Sequence, residues 1–147
     1  MTLQPRKLSP SVSVAPQLQV EDVAVAAEYG FRAIINNRPD GESGDQPPAA
    51  EIEAAAARAG LAYRHIPAVS GSLTEGDVEA VRAALDELEG PVLAFCRSGT
   101  RSAMLWALAE ADRLPPETIL EAGAAAGYDL SPLRPHLEAR GRSGRRG

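Results

Sequence analysis

The amino-acid sequence predicts an α/β fold in which a small, mostly parallel β-sheet is flanked by helices. Short apolar runs rich in β-branched residues alternate along the chain with longer, alanine-rich segments of helical periodicity. Glycine and proline residues separate the two kinds of segment. Strands joined by single helices usually pair in parallel through right-handed crossovers, so this alternation predicts a parallel sheet.

Four apolar runs are predicted to be the strands. The first is SVSVA (11–15), which is followed by FRAIINN (31–37), LAYRHIP (61–67) and PVLAF (91–95). Each is short, and each is bounded by loop or helix signals, as expected for strands buried in a sheet. The site of an open parallel sheet lies at the carboxyl ends of its strands, which directs attention to the loops after residues 37 and 95.

The helices are predicted from their caps and apolar stripes. Residues 20–30 end at a glycine, and residues 48–59 begin at a proline and are closed by Gly60. Thr74 and Asp77 form a capping signal for a helix that ends at Gly90. Further helical segments are predicted at 102–111, 116–127 and 131–140.

Length and composition predict one domain over residues 1–138, followed by a basic tail at 139–147. The chain has 147 residues, of which 44% are hydrophobic, enough for a real core. The tail contains four arginines with glycine and serine and lacks an apolar periodicity, so it is predicted to be disordered.

Charge and residue content limit the possible partners. The formal net charge of −5 disfavours nucleic-acid binding. One cysteine and two distant histidines provide no metal-ligand spacing, and no metal or other cofactor is expected. The first residues lack the apolar core of a signal peptide, and no run is long enough to cross a bilayer. We therefore expect a cytoplasmic protein without a membrane partner.

The only cysteine, Cys96, follows a predicted strand and precedes a glycine-containing loop and a helix. Backbone N–H groups of such a loop and the positive end of the helix dipole can bind an anion and favour a thiolate nucleophile. Arg101 closes the loop and is predicted to fold back onto the anion. The remaining predicted anion-binding residues of the loop are Arg97, Ser98, Gly99, Thr100 and Ser102.

A second loop, NNRPDGE (36–42), follows a neighbouring strand. Asp40 is a candidate catalytic acid, or it holds an arginine of the cysteine loop. It is equally typical of an ordinary Pro-Asp-Gly turn. Arg38 is a candidate anion contact or a solvated charge, and Arg97 is expected to point outward or to pair with Asp40 or Glu42.

The motif CRSGTRS, residues 96–102, resembles the active-site loop of rhodanese-type sulfurtransferases, with four residues between Cys96 and Arg101. Over roughly residues 8–130 the chain resembles the bacterial beta-lactamase-hydrolase-like, phosphatase-like domain family. The matching stretches are QLQVEDVAVAAEYGFRAIINNRPDGE, QPPAAEIEAAAARAGLAYRHIP, PVLAFCRSGTRSAMLWALA and AAAGYDL. This resemblance implies a protein-tyrosine-phosphatase-like fold, the superfold of cysteine-loop phosphatases.

Two departures from the phosphatase pattern bear on the reaction. Phosphatases of this fold place five residues between cysteine and arginine, and a histidine usually precedes the cysteine, where this chain has Phe95. Their acidic residue often follows the strand equivalent to 61–67, but PAVSGSLTEG contains no aspartate before Asp77. A smaller loop and an empty acid position favour sulfur transfer, which needs no positioned acid.

The sequence therefore predicts a rhodanese-like sulfurtransferase that carries sulfane sulfur as a persulfide on Cys96. The alternative is a phosphatase of protein-tyrosine or dual-specificity type with a phosphocysteine intermediate. A non-catalytic anion or redox sensor is a third possibility. The expected partners are a small sulfur or phosphate anion and a protein that donates or accepts the persulfide.

Overall fold

A computed structural model describes residues 3–146, with side chains up to residue 142. It contains one five-stranded sheet with helices on both faces. The strands in chain order are β1 (Arg6–Ser9), β2 (Val12–Ala15), β3 (Ala33–Asn36), β4 (Ala62–His65) and β5 (Val92–Phe95). The helices are α1 (Val20–Glu28), α2 (Ala49–Ala59), α3 (Glu75–Glu87), α4 (Thr100–Glu110), α5 (Pro116–Ala125) and α6 (Arg134–Arg146), with a 3₁₀ turn at Ser131–Leu133.

The strand order is β1-β2-β5-β3-β4. Strands β2, β5, β3 and β4 pair in parallel, and β1 pairs with β2 antiparallel. The predicted α/β class with a mostly parallel sheet is confirmed. Because β5 lies between β2 and β3, the carboxyl ends of these three strands are adjacent, and the loops that follow them meet at one edge of the sheet.

Alternate strand residues point into two separate cores, as the pleat requires. Ile34, Leu93 and Phe95 pack against α1 and α2 on one face. Ile35 and Ala94 pack with residues of α3, α4, α5 and α6 on the other. The central strands are buried on both faces, so they appear in the sequence as continuous apolar runs.

Strand β1 is the element that the sequence patterns do not predict. Its four residues, RKLS, are mostly polar, and only Leu8 is buried, which is typical of a short edge strand. A β-bulge or register irregularity between Lys7 and Ser9 further weakens its two-residue periodicity.

Helix α6 continues to Arg146, through residues 139–146 of the segment that the composition predicts to be a disordered tail. Leu137 is fully buried and anchors the helix in the core. Arg140 donates from Nε to the Leu108 carbonyl at 2.9 Å and from Nη1 to Glu75 at 2.5 Å. These contacts hold a segment whose composition alone has no apolar stripe. Gly147 lies outside the described residues.

Within residues 3–146, none of the helices has the length and apolar character needed to span a membrane. The same part of the chain contains no group of three or more histidine, cysteine, aspartate or glutamate side chains that could hold a metal ion.

Candidate active site

The cysteine loop connects β5 to α4 over residues 96–99. Cys96 follows the last residue of β5 directly, and only 1% of it is exposed. The Gly99 N–H donates to Cys96 Sγ at 3.1 Å. Helix α4 begins at Thr100, two residues earlier than its apolar pattern predicts. The sulfur therefore lies at the base of a turn, close to the positive end of an eleven-residue helix.

Gly99 has φ of +93° and forms the N-cap of α4. This left-handed conformation disfavours residues with a Cβ. A Cβ at this position would also lie 2.2 Å from the Tyr128 hydroxyl oxygen. Position 99 therefore requires glycine both for its backbone angle and for the close approach of Tyr128.

Tyr128 stabilises the cysteine loop through a hydrogen bond to the loop backbone. Its hydroxyl donates to the Ser98 carbonyl at 3.2 Å, and its ring lies under the Arg6 guanidinium, 5.8 Å from the ring centroid. Burial raises the pKa of Tyr128, which keeps the phenol protonated as a donor. The sequence patterns assign Tyr128 no role, although AAAGYDL is one of the stretches that carry the family resemblance.

Arg101 is buried, with 7% exposed, and its orientation is determined by Glu42. Arg101 Nη1 donates to Glu42 Oε2 at 2.7 Å, and Nη2 donates to Glu42 Oε1 at 2.9 Å. Nη1 also donates to the Ala68 carbonyl at 2.9 Å. The hydrogen bond with Glu42, and to a lesser degree the nearby Cys96 charge, raise the pKa of Arg101. The guanidinium thus lies beside both a fixed carboxylate and the cysteine.

Arg38 forms the second ion pair of Glu42. Only 4% of Arg38 is exposed, and its Nε donates to Glu42 Oε1 at 2.9 Å while Nη1 donates to Gln17 Oε1 at 3.0 Å. The hydrogen bond from Arg101 and that from Arg38 lower the pKa of Glu42 to about 2, against the opposing effect of burial. Glu42 therefore stays ionised and is oriented in part by Arg38. Arg38 is buried and not a solvated charge, and its role as an anion contact stays a prediction.

Asp40 accepts a hydrogen bond from the Ala49 N–H at 2.8 Å. Ala49 is the first residue of α2, so the exposed carboxylate caps that helix. This contact matches the turn interpretation of the Pro-Asp-Gly sequence. A catalytic function of Asp40 stays a prediction.

The remaining predicted loop residues divide into exposed and buried groups. Arg97, Ser98 and Thr100 are exposed, and the Ser98 hydroxyl donates to Thr100 Oγ1 at 3.0 Å. Arg97 forms no ion pair with a residue in the described part of the chain, and its outward orientation stays a prediction. Ser102 is buried and donates to Asn37 Oδ1 at 2.8 Å.

The sequence patterns do not predict that Gln17, Asn37 and Tyr128 support the cysteine loop and α4. The Gln17 N–H donates to the Arg97 carbonyl at 3.2 Å, and Asn37 joins α4 to the Ile66 carbonyl beyond β4. Gln17 and Asn37 follow β2 and β3, whose ends flank β5. Their position after a strand is the signal that could have marked them.

Comparison with known protein families identifies the family of this chain. Residues 4–113 match the sequence profile described as "Beta-lactamase hydrolase-like protein, phosphatase-like domain". The chain belongs to this family. A beta-lactamase hydrolase-like protein of Xylella fastidiosa is 41% identical over 121 residues, which cover 81% of this chain and 28% of the relative. An Agrobacterium fabrum protein of the same name is 36% identical over 134 residues, covering 90% of this chain and 31% of the relative. The chain thus spans less than a third of these relatives.

Solved structures agree with the family assignment. A Neisseria meningitidis protein provisionally described as a phosphatase is 35% identical, with a TM-score of 0.81 over 92% of this chain and 96% of that chain. The phosphotyrosine complex of P. aeruginosa TpbA is 16% identical, with a TM-score of 0.67 over 97% of this chain and 91% of that chain. The predicted protein-tyrosine-phosphatase-like fold is confirmed. The rhodanese likeness of the loop stays a resemblance.

Proposed function

We propose that this phosphatase-like domain is a cysteine-dependent phosphatase that hydrolyses phosphate monoesters through a phosphocysteine on Cys96. The observation that carries the proposal is the cysteine loop. It places Cys96 Sγ at the N-terminus of α4, against the Gly99 N–H and beside an arginine held by Glu42. The membership in a phosphatase-like family supports this choice over the sulfur transfer that the loop spacing predicts.

In this reaction the substrate phosphate occupies the loop, where backbone N–H groups and the positive end of α4 stabilise its oxygens. The Cys96 thiolate attacks phosphorus, so that a P–S bond forms and the P–O bond to the leaving group breaks. Water then attacks phosphorus and cleaves the P–S bond, releasing phosphate and restoring the thiolate. The guanidinium of Arg101 stabilises the charge on the transferred phosphoryl group.

A leaving group that departs as a stable anion needs no positioned acid to protonate it. The loop after β4, residues 67–74, contains no aspartate, and Asp40 caps α2. We therefore propose that aryl or acyl phosphates, whose leaving groups are weak bases, are better substrates than simple alkyl phosphates.

Sulfur transfer remains the second candidate because of one observation, the four-residue spacing between Cys96 and Arg101. In that reaction the thiolate attacks the outer sulfur of thiosulfate, the S–S bond breaks and sulfite leaves. The Cys96 persulfide then passes its outer sulfur to cyanide or to an acceptor protein, and the thiolate is regenerated.

The two reactions are separated by assays on one preparation. Release of nitrophenol from 4-nitrophenyl phosphate is measured against formation of thiocyanate from thiosulfate and cyanide. We expect ester hydrolysis that is lost in Cys96→Ser, because a serine hydroxyl is not ionised by the same surroundings. Thiocyanate formation without ester hydrolysis would favour the second candidate. If Cys96→Ser forms as much product as the wild type, or if the wild type forms neither nitrophenol nor thiocyanate, both catalytic candidates are contradicted and a binding function is left.

A further inference from the structure

A cavity of about 510 Å³ lies next to the cysteine loop. Its walls come from the loop after β4, the start of α3, one side of α4, and α6 with the turn before it. Ligand sites in proteins typically enclose about 300–1,000 Å³.

The chemistry of the lining is divided between apolar and cationic groups. Five large aliphatic side chains form the apolar part, namely Leu73, Val78, Met104, Leu108 and Leu133. Three arginines line the same cavity, Arg97, Arg101 and Arg140. Its one carboxylate, Glu75, is paired with Arg140. Such a lining complements a ligand that carries both a negative charge and an apolar group.

Residues of the cysteine loop also line the cavity. Arg97, Ser98, Thr100 and Arg101 belong to the cysteine loop or the first turn of α4 and also line the cavity. A phosphate group held by the loop therefore has its substituent directed along a surface that continues into the cavity. The cavity is also much larger than a phosphate group requires, so it has room for that substituent.

Part of the wall lies outside the matched family profile. Leu133, His136, Ala139 and Arg140 line the cavity, and the profile ends at residue 113. Arg140, in the middle of α6, bonds this helix to α4 through the Leu108 carbonyl. Part of the cavity wall is thus built by a segment additional to the profile.

We propose that this cavity binds the apolar part of the substrate and that the natural substrate class is a phosphate monoester with a bulky apolar substituent. The proposal rests on the phosphatase function proposed above for the reaction. The cavity itself binds an apolar anion whether or not the reaction is phosphate hydrolysis.

The test introduces a large side chain into the cavity from its exposed side. Ala139→Trp fills the space from α6, and Ala124→Trp, on an exposed position of α5 outside the cavity, is the matched control. Two readouts are measured: kcat/KM for 2-naphthyl phosphate relative to acetyl phosphate, and fluorescence titration with 1-anilinonaphthalene-8-sulfonate, an apolar aryl anion.

We expect Ala139→Trp to lower the naphthyl-to-acetyl ratio by about tenfold or more, the range for a lost apolar contact in a substrate pocket. The same variant should weaken binding of the fluorescent anion, and Ala124→Trp should change neither. An unchanged ratio and unchanged binding would overturn the proposal. If neither 2-naphthyl phosphate nor acetyl phosphate is hydrolysed but Ala139→Trp still weakens anion binding, the phosphatase proposal fails and the apolar anion site stands.

Discussion

At the scale of single residues, the ion pair with Glu42 fixes the orientation of Arg101, the arginine that we propose binds the anion. The two groups are 59 positions apart in the sequence, and two parallel hydrogen bonds join them. Arg101 and Cys96 could be predicted from the motif, because their spacing is local. The sequence does not show whether Asp40 or Glu42 pairs with Arg101, because side-chain pairing between loops depends on how the strand ends are arranged.

The first prediction concerns the two arginines of the loop. Arg101→Lys keeps the charge but loses the planar fork that bonds Glu42, so kcat/KM for an aryl phosphate should fall by about 10²–10³, as for a lost transition-state donor. The matched variant, Arg97→Lys, keeps the charge of an exposed side chain that lines the neighbouring cavity and does not bond Glu42, so its loss of activity should be much smaller than that of Arg101→Lys. A large loss in Arg97→Lys with none in Arg101→Lys would reverse the assignment.

The second prediction follows from the lowered pKa of Glu42. A carboxylate whose pKa is about 2 in the folded protein, against 4.5 normally, stabilises the fold above pH 4.5 and loses this contribution as the pH falls through 2. Glu42→Gln should therefore be less stable than the wild type by about 1–3 kcal/mol near neutral pH, with a difference that shrinks in acid.

Urea unfolding at a series of pH values measures this difference. Glu121→Gln, which removes an exposed carboxylate on α5, is the control and should change stability little at any pH. A stability loss in Glu42→Gln that is the same near pH 2 as near neutral pH would contradict the assigned ion pairs.

At the scale of elements, the cysteine loop is held by a residue from the far end of the chain. Tyr128 follows α5 and bonds the Ser98 carbonyl, and its hydroxyl occupies the space beside Gly99. Most strands and helices could be predicted from periodicity and caps, including the capping box of Thr74 and Asp77. Strand β1 could not, because it is a mostly polar edge strand with an irregular register. The second half of α6 could not, because contacts distant in sequence stabilise it.

The third prediction is a coupled pair of substitutions. Tyr128→Phe removes one hydrogen bond and should lower the free energy of unfolding by about 0.5–1.5 kcal/mol. Gly99→Ala should cost more, since it adds a Cβ at φ +93° and 2.2 Å from the Tyr128 oxygen. In the double variant, Tyr128→Phe removes the hydroxyl oxygen that lies nearest to the added Cβ. The stability loss of the double variant should therefore be smaller than the sum of the losses in the two single variants. Strict additivity in urea unfolding would contradict this packing.

At the scale of the whole molecule, the strand order β2-β5-β3 brings three loops to one edge of the sheet. Gln17, Arg38 and Cys96 each follow one of these strands, and their contacts form one network around Glu42 and the cysteine loop. The sequence predicts that the loops after β3 and β5 meet. The alternation of strands and helices does not determine the strand order, so the contribution of the β2 end could not be predicted.

The central claim is that Cys96 forms a covalent bond with phosphorus during turnover. The most direct measurement is rapid acid quenching with an aryl phosphate, followed by mass spectrometry of the peptide that contains Cys96. We predict one phosphoryl group on Cys96 and none on the same peptide of Cys96→Ser. Ester hydrolysis without this adduct, or an adduct found only as a persulfide after thiosulfate treatment, would contradict the account.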